Sequence, residues 1–274
     1  MTLKSGLSEE LNRQGNEHFG RGHYTEAYTC YAKALECDRL TGDRHALVAT
    51  LGNLGNIYAV SGRREAARGY YQEVLELQKI LGDEKGIGTT LANLGNLCAD
   101  TGEWGRARAY YLEALDLMTK TNDEAATAVL FSDLALVARE TGQFDDAIGY
   151  YEKSLVLMRR LGNDGGVADA WRMMARTFLM QRRFEDTIAC CRTGQAVAER
   201  SCDELRTAGA RYVLADCFEA MGRFHEAADL LERVVETDRK YHLAKLEENI
   251  KRLHALRKRL SVVSDSPTIR GSRA

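Results

Sequence analysis

Asparagine and arginine are the side chains through which this sequence could act. Asn16, Asn56 and Asn96 fall at intervals of forty residues, and Asn53 and Asn93 keep the same interval. A carboxamide both donates and accepts, so such a series can pair with the backbone of an extended or helical peptide whatever its side chains. Arg139, Arg172 and Arg176 add forked donors suited to carboxylates. Reactive constellations are absent. Gly86-Ile87-Gly88 begins a dinucleotide loop but meets Leu91 where the third glycine belongs, with no strand before it, and no phosphate-cradling loop with its lysine occurs. The histidines (His18, His23, His45, His225, His242, His254) never fall at the i, i+4 spacing that turns two imidazoles toward one zinc ion. Asp145-Asp146 and Glu247-Glu248 read as solvated charge. The expectation is a binding protein with no catalytic residue, no metal and no cofactor.

Composition narrows the partner. The formal net charge of -2 argues against nucleic acid, whose counterions are displaced by a surplus of Lys and Arg. No run of 18 apolar residues occurs, and the opening MTLKSGLSEELNRQ lacks a signal-peptide core, so the expectation is no membrane insertion and a cytoplasmic location. The seven cysteines are scattered. Cys30, Cys98, Cys191 and Cys217 occupy positions suited to small apolar residues, which reads as reduced, packed thiols.

The elements that must carry these residues repeat. LGNLGNIYAVSGRREAARGYYQEVLEL (51–77), LANLGNLCADTGEWGRARAYYLEALDL (91–117) and FSDLALVARETGQFDDAIGYYEKSLVL (131–157) are one frame shifted by forty. Six units align without a gap. A packing residue at Gln14, Leu54, Leu94, Leu134, Met174 and Leu214 precedes Gly15, Gly55, Gly95, Ala135, Ala175 and Ala215, small enough for two helices to approach closely. A second small residue recurs at Ala27, Ala67, Ala107, Ala147, Thr187 and Ala227. Then comes a ring, at Tyr31, Tyr71, Tyr111 and Tyr151, replaced by Cys191 and Leu231. Spacings of three and four make each helix amphipathic. Gly22, Gly62, Gly102, Gly142 and Gly222 suit a left-handed helix stop, with Arg182 the exception. Between units, Gly42-Asp43, Gly82-Asp83, Asn122-Asp123 and Asn163-Asp164 read as a stop followed by an N-cap. The fifth unit departs most, with Arg182, Thr187, Cys191 and Gly194, and is expected to flex.

This small/large signature resembles the tetratricopeptide repeat family over about residues 8 to 237. The forty-residue unit with Asn-Leu-Gly-Asn at 53–56 and 93–96 is similar to the Leu-Gly-Asn-rich adaptors and to kinesin light chains. The resemblance implies an all-α, right-handed α-solenoid of six helix pairs: 8–42, 43–82, 83–122, 123–162, 163–202 and 203–237. A tail at 1–7, a capping helix at 238–260 and a disordered tail at 261–274, holding Ser266-Pro267, complete the expected organisation. It also implies a concave groove lined by the first helix of each pair, two residues before and after the packing position. That places Asn16, Asn56, Asn96, Leu136, Arg176 and Asp216 in one row and Asn12, Gly52, Ala92, Ser132, Arg172 and Tyr212 in another, with Asn53 and Asn93 at the edge. The function expected is a non-enzymatic adaptor or scaffold that binds a peptide segment of a partner protein. Its asparagines would hold main chain, and Arg139, Arg172 and Arg176 would hold acidic side chains. The alternatives are a regulator switched by a small signalling peptide, as in bacterial repeat sensors, and a structural subunit of a larger complex. A clamp for a carboxylate terminus, as in co-chaperones, is disfavoured because Asn12, Ala92 and Asn96 stand where its cations belong. The sequence does not fix an oligomeric state.

Overall fold

The helix stops set the architecture. In the computed structural model, which describes residues 2–264 with side chains from 6 to 260, a left-handed residue falls at every twentieth position from 22 to 242. Glycine occupies 22, 42, 62, 82, 102, 142, 162 and 222; Asn122, Arg182, Cys202 and His242 take the same conformation at φ 54°, 57°, 54° and 51°. Behind the stops, amides reach back to the last helical turn, as in Glu103 N to Cys98 O at 2.8 Å and Arg183 N to Phe178 O at 2.9 Å.

Thirteen helices result among the described residues, and no strand. They are α1 (Thr2–Gly20), α2 (Tyr24–Thr41), α3 (Arg44–Val60), α4 (Arg64–Leu81), α5 (Glu84–Ala99), α6 (Trp104–Lys120), α7 (Glu124–Glu140), α8 (Phe144–Arg160), α9 (Asp164–Met180), α10 (Phe184–Arg200), α11 (Glu204–Ala220), α12 (Phe224–Lys240) and α13 (Leu246–Ser264). The chain forms two compact units that divide between Thr141 and Gly142. Unit 1 holds α1 to α7, and unit 2 holds α8 to α13.

Each odd-numbered helix from α3 to α11 opens on an Asx N-cap. Asp43, Asp83, Asp123, Asn163 and Asp203 accept the amides of Ala46, Gly86, Ala126, Gly166 and Arg206. In the fifth unit the stop is Gly162 and Asn163 is the cap, one residue earlier than the Asn163-Asp164 assignment.

Three expectations change. Helix α1 begins at Thr2 rather than after a tail of seven residues; nothing before Ser8 is a proline, and Gly6 alone costs a helix only about 1 kcal/mol. The capping helix is not continuous from 238. Lys240 ends α12, His242 makes a further left-handed stop, and α13 starts at Leu246 and runs on to Ser264. Residues 265–274, with Ser266-Pro267, lie outside the described residues. Finally, α13 docks on α12 through buried Leu253 and Leu256 and the Asn249 to Asp238 hydrogen bond of 2.7 Å. The same kind of buried polar contact joins α3 to α2 (Thr50 to Asp38, 2.6 Å) and α5 to α4 (Thr90 to Gln78, 2.8 Å). The last helix is thus placed as the first helix of a seventh pair.

Within a pair, glycine makes room for a ring. A Cβ on Gly15, Gly55 or Gly95 would stand 2.4, 2.6 or 2.5 Å from Cε1 of Tyr31, Tyr71 or Tyr111. Gly194 answers to packing as well: a Cβ there would meet Trp171 Cβ at 3.0 Å and the Ala168 carbonyl at 3.2 Å. The glycine read as a source of flexure in the fifth unit is a close-approach residue.

Candidate functional site

In unit 1 the asparagine series is partly consumed by the fold. The hydroxyls of Tyr31, Tyr71 and Tyr111 donate to Oδ1 of Asn16, Asn56 and Asn96 at 2.7, 2.7 and 2.6 Å. Each bond joins the two helices of a pair and satisfies a buried phenol, whose burial pushes Tyr31 and Tyr71 up to about 12. The carboxamides therefore face outward as donors, with their acceptor side taken. Asn53 extends a chain of bonds: its Nδ2 donates to Asn12 Oδ1 at 3.1 Å, and Asn12 Nδ2 donates to Thr50 at 2.7 Å. Asn93, half-buried on α5, has no such bond among the described residues. Ser132 turns its hydroxyl toward the Ala128 carbonyl at 3.4 Å.

Arg139 differs from its expected role. It is 8% exposed, and its Nε and a terminal nitrogen hold Glu140 at 3.1 and 2.8 Å. A guanidinium buried against a carboxylate of its own helix is not presented to an acidic ligand.

Unit 2 brings the remaining residues together. Arg172 and Arg176 on α9 and Tyr212 on α11 line one cavity of about 190 Å³, with Leu205, Ala208 and Gly209 of α11, Val234 and Asp238 of α12, Leu243 and Lys245 of the following turn, and Asn249 of α13. Gly209 keeps the wall open, since a Cβ there would stand 3.1 Å from Arg172 Cδ. The Tyr212 ring lies under two cations, Lys245 Nζ at 5.6 Å and the Arg252 guanidinium at 5.2 Å. One terminal nitrogen of Arg172 bonds Asp169 at 3.1 Å, and Asp169 is held in turn by Arg206 at 2.8 Å. Asp216, the last residue of the expected row, pairs with Arg252 at 2.6 Å, and the same nitrogen reaches Glu219 at 2.6 Å. Burial raises the Asp216 carboxyl, against the opposing pull of Arg252 and Arg176. Asp216 anchors α13 rather than offering a free carboxylate.

Burial also keeps three thiols of unit 2 protonated. Burial pushes Cys190, Cys191 and Cys217 up to about 11, 12 and 11. No helix among the described residues is long and apolar enough to cross a membrane.

The family model for the tetratricopeptide repeat matches residues 11–80, 49–120, 86–160, 123–186 and 166–240. The chain belongs to the tetratricopeptide repeat family. Among curated proteins, none matches it. Solved structures share the fold. A signal-transduction ATPase with a tetratricopeptide repeat sensor from Pyrococcus horikoshii superposes with a TM-score of 0.73 at 16% identity, over 91% of this chain and 39% of that one. A Rap protein in complex with competence and sporulation factor gives 0.65 at 14%, over 92% and 75%. A putative kinesin light chain from Podosopora anserina gives 0.61 at 18%, over 71% and 96%. At such identities the likeness is one of fold.

Two parts of the tetratricopeptide site were not found from sequence. Lys245 and Asn249 come from the segment read as a capping helix. Their signal was the forty-residue register itself, which carried on past 237 would have set a stop at 242 and a new helix after it.

Proposed function

We propose that this tetratricopeptide array is a protein-binding scaffold that takes a peptide segment of a partner, with an acidic residue of that segment held in unit 2. The observation behind this reading is one cavity lined by Arg172, Arg176, Lys245 and Tyr212 together with the apolar Leu205, Val234 and Leu243. An apolar side chain of the peptide packs on the leucines and valine, and a neighbouring carboxylate meets the cations, where a charge-assisted bond in a partly dry site is stronger than one in water. In unit 1, Asn56 and Asn96 donate to peptide carbonyls, their own oxygens being engaged by tyrosine. A Rap protein of the same fold has been crystallised with competence and sporulation factor, which fits a fold of this kind holding a small partner.

The test is selection from a random library of capped 12-residue peptides on the immobilised protein. Wild type is expected to enrich an acidic residue beside an apolar one. Arg172→Gln with Arg176→Gln, which keeps side-chain length and removes charge, is expected to lose that enrichment without a change in the circular dichroism of the fold. Equal enrichment of acidic residues by both proteins would refute the reading.

A further inference from the structure

Asn53 of α3, the residue before packing Leu54, donates to Asn12 of α1, forty-one residues earlier. By register the same offset pairs Asn93 of α5 with Gly52 of α3 and Asp133 of α7 with Ala92 of α5, and α5 and α7 are in contact. Along this row the polar partner is lost while the side chain changes from amide to carboxylate. Asp133 is half-buried, and the described residues give it no hydrogen bond and no ion pair. Its surroundings offer no compensating cation. On α6, the Tyr111 phenol donates to Asn96, and both Asp133 and Asp100 act on that phenol, after burial, to raise it. On α7, Arg139 is turned to Glu140. Burial alone lifts the Asp133 carboxyl to about 6, so above that pH the site holds a negative charge that water solvates poorly.

We propose that the junction of α5 and α7 is a subsite for a basic side chain of the bound peptide, with the Asp133 carboxylate accepting from its ammonium or guanidinium and the Asn96 amide donating to the adjacent peptide carbonyl. Asn96 can serve because its oxygen alone is engaged by Tyr111, leaving two N–H donors. Ala92 supplies the space: where asparagine stands at this position in α1, the side chain across from it is satisfied from within, and at α7 it is left to the ligand. The basic side chain is thus a requirement of unit 1, separate from the acidic one of unit 2. This subsite rests on the peptide-binding reading, but it concerns a different unit and a charge of opposite sign.

The same 12-residue library distinguishes the two. Wild type is expected to enrich Lys or Arg at one position of the selected peptides. Asp133→Asn, close to isosteric, is expected to lose that enrichment while keeping the acidic one, and Arg172→Gln with Arg176→Gln is expected to do the reverse. Ala92→Asn, which places there a carboxamide able to donate to the Asp133 carboxylate, should also suppress the basic position. A selected basic peptide, labelled with fluorescein, should bind wild type about tenfold more weakly at pH 5 than at pH 7.5, the scale of a lost bond to a charged group, and should bind Asp133→Asn equally at both. A wild-type selection without a basic position, or a basic position that survives Asp133→Asn, overturns the proposal whether or not the acidic position stands.

Discussion

At the scale of single residues the pairing of glycine with tyrosine does most of the specifying. Gly95 exists because Tyr111 lies where its Cβ would be. The fifth and sixth units show a compensation at the same register, Ala175 and Ala215 standing where Cys191 and Leu231 replace the ring, while the fourth keeps a ring, Tyr151, with Ala135 at the small position. Gly95→Ala should therefore destabilise unit 1 by about 1–3 kcal/mol, the usual cost of overpacking a rigid core, as read from chemical denaturation. Tyr111→Phe should cost about 1 kcal/mol for the lost bond to Asn96, and adding Asn96→Ala should cost little more, since the two share one interaction. The phenols also set an alkaline limit. Tyr31 and Tyr71 ionise near 10.0 when unfolded and at about 12 when folded. The unfolded chain thus loses these protons first, and stability present below pH 10 falls as pH rises toward 12. A midpoint that stays level across that range would refute the assignment. Sequence spacing revealed the glycine and the ring separately. The bond from Tyr111 to Asn96 was not legible, because fifteen residues and a turn separate two groups that meet only once the helices pack.

At the scale of elements, the stops were legible wherever glycine or asparagine marked them and obscure where they did not. Arg182 and Cys202 take the left-handed conformation against their own preference, between packed helices on either side; Asp203 caps the helix after Cys202, whereas Arg183 after Arg182 makes no side-chain cap bond. Arg182→Gly should relieve a strain of about 1 kcal/mol and raise the unfolding midpoint, offset in part by the added freedom of glycine in the unfolded chain. Gly194→Ala should act in the opposite sense, because the Cβ would press on Trp171 and the Ala168 carbonyl. Together these place the departures of the fifth unit in packing and turn geometry. Amide exchange in 171–200 should then be as slow as in 91–120; markedly faster exchange would restore the flexible reading. The caps follow one rule from α3 to α11: Asx at the entry of the odd helices, where the turn lets a short side chain bend back to the third amide.

At the scale of the whole molecule, repeat proteins are stabilised mainly by contacts between successive elements, and the end of the series needs a closing surface. The sequence showed that such a helix follows the sixth pair, but not that it repeats the first-helix position, because only Ala255 keeps the small residue of the forty-residue register while His254 stands where the packing leucine belongs. Its identity lies in contacts instead: Asn249 bonds buried Asp238, Arg252 bridges Asp216 and Glu219, and Leu253 and Leu256 are 5% and 1% exposed. If α13 were only a polar cover, removing it would alter solubility and little else. As the first half of a seventh pair it does more. A chain ending at Lys240 would strip Asp238 of its donor, Asp216 of the Arg252 guanidinium, and the unit 2 cavity of Leu243, Lys245 and Asn249. Such a chain should show faster amide exchange through α11 and α12, unchanged protection in α3 and α5, and no selection of acidic peptides. The single substitution Asn249→Ala separates the two effects: it should lower stability by about 1–3 kcal/mol, the cost of leaving a buried polar group unsatisfied, while the cations that select the acid stay in place. Retention of acidic selection by the shortened chain would mean that the segment after Lys240 has no part in the site.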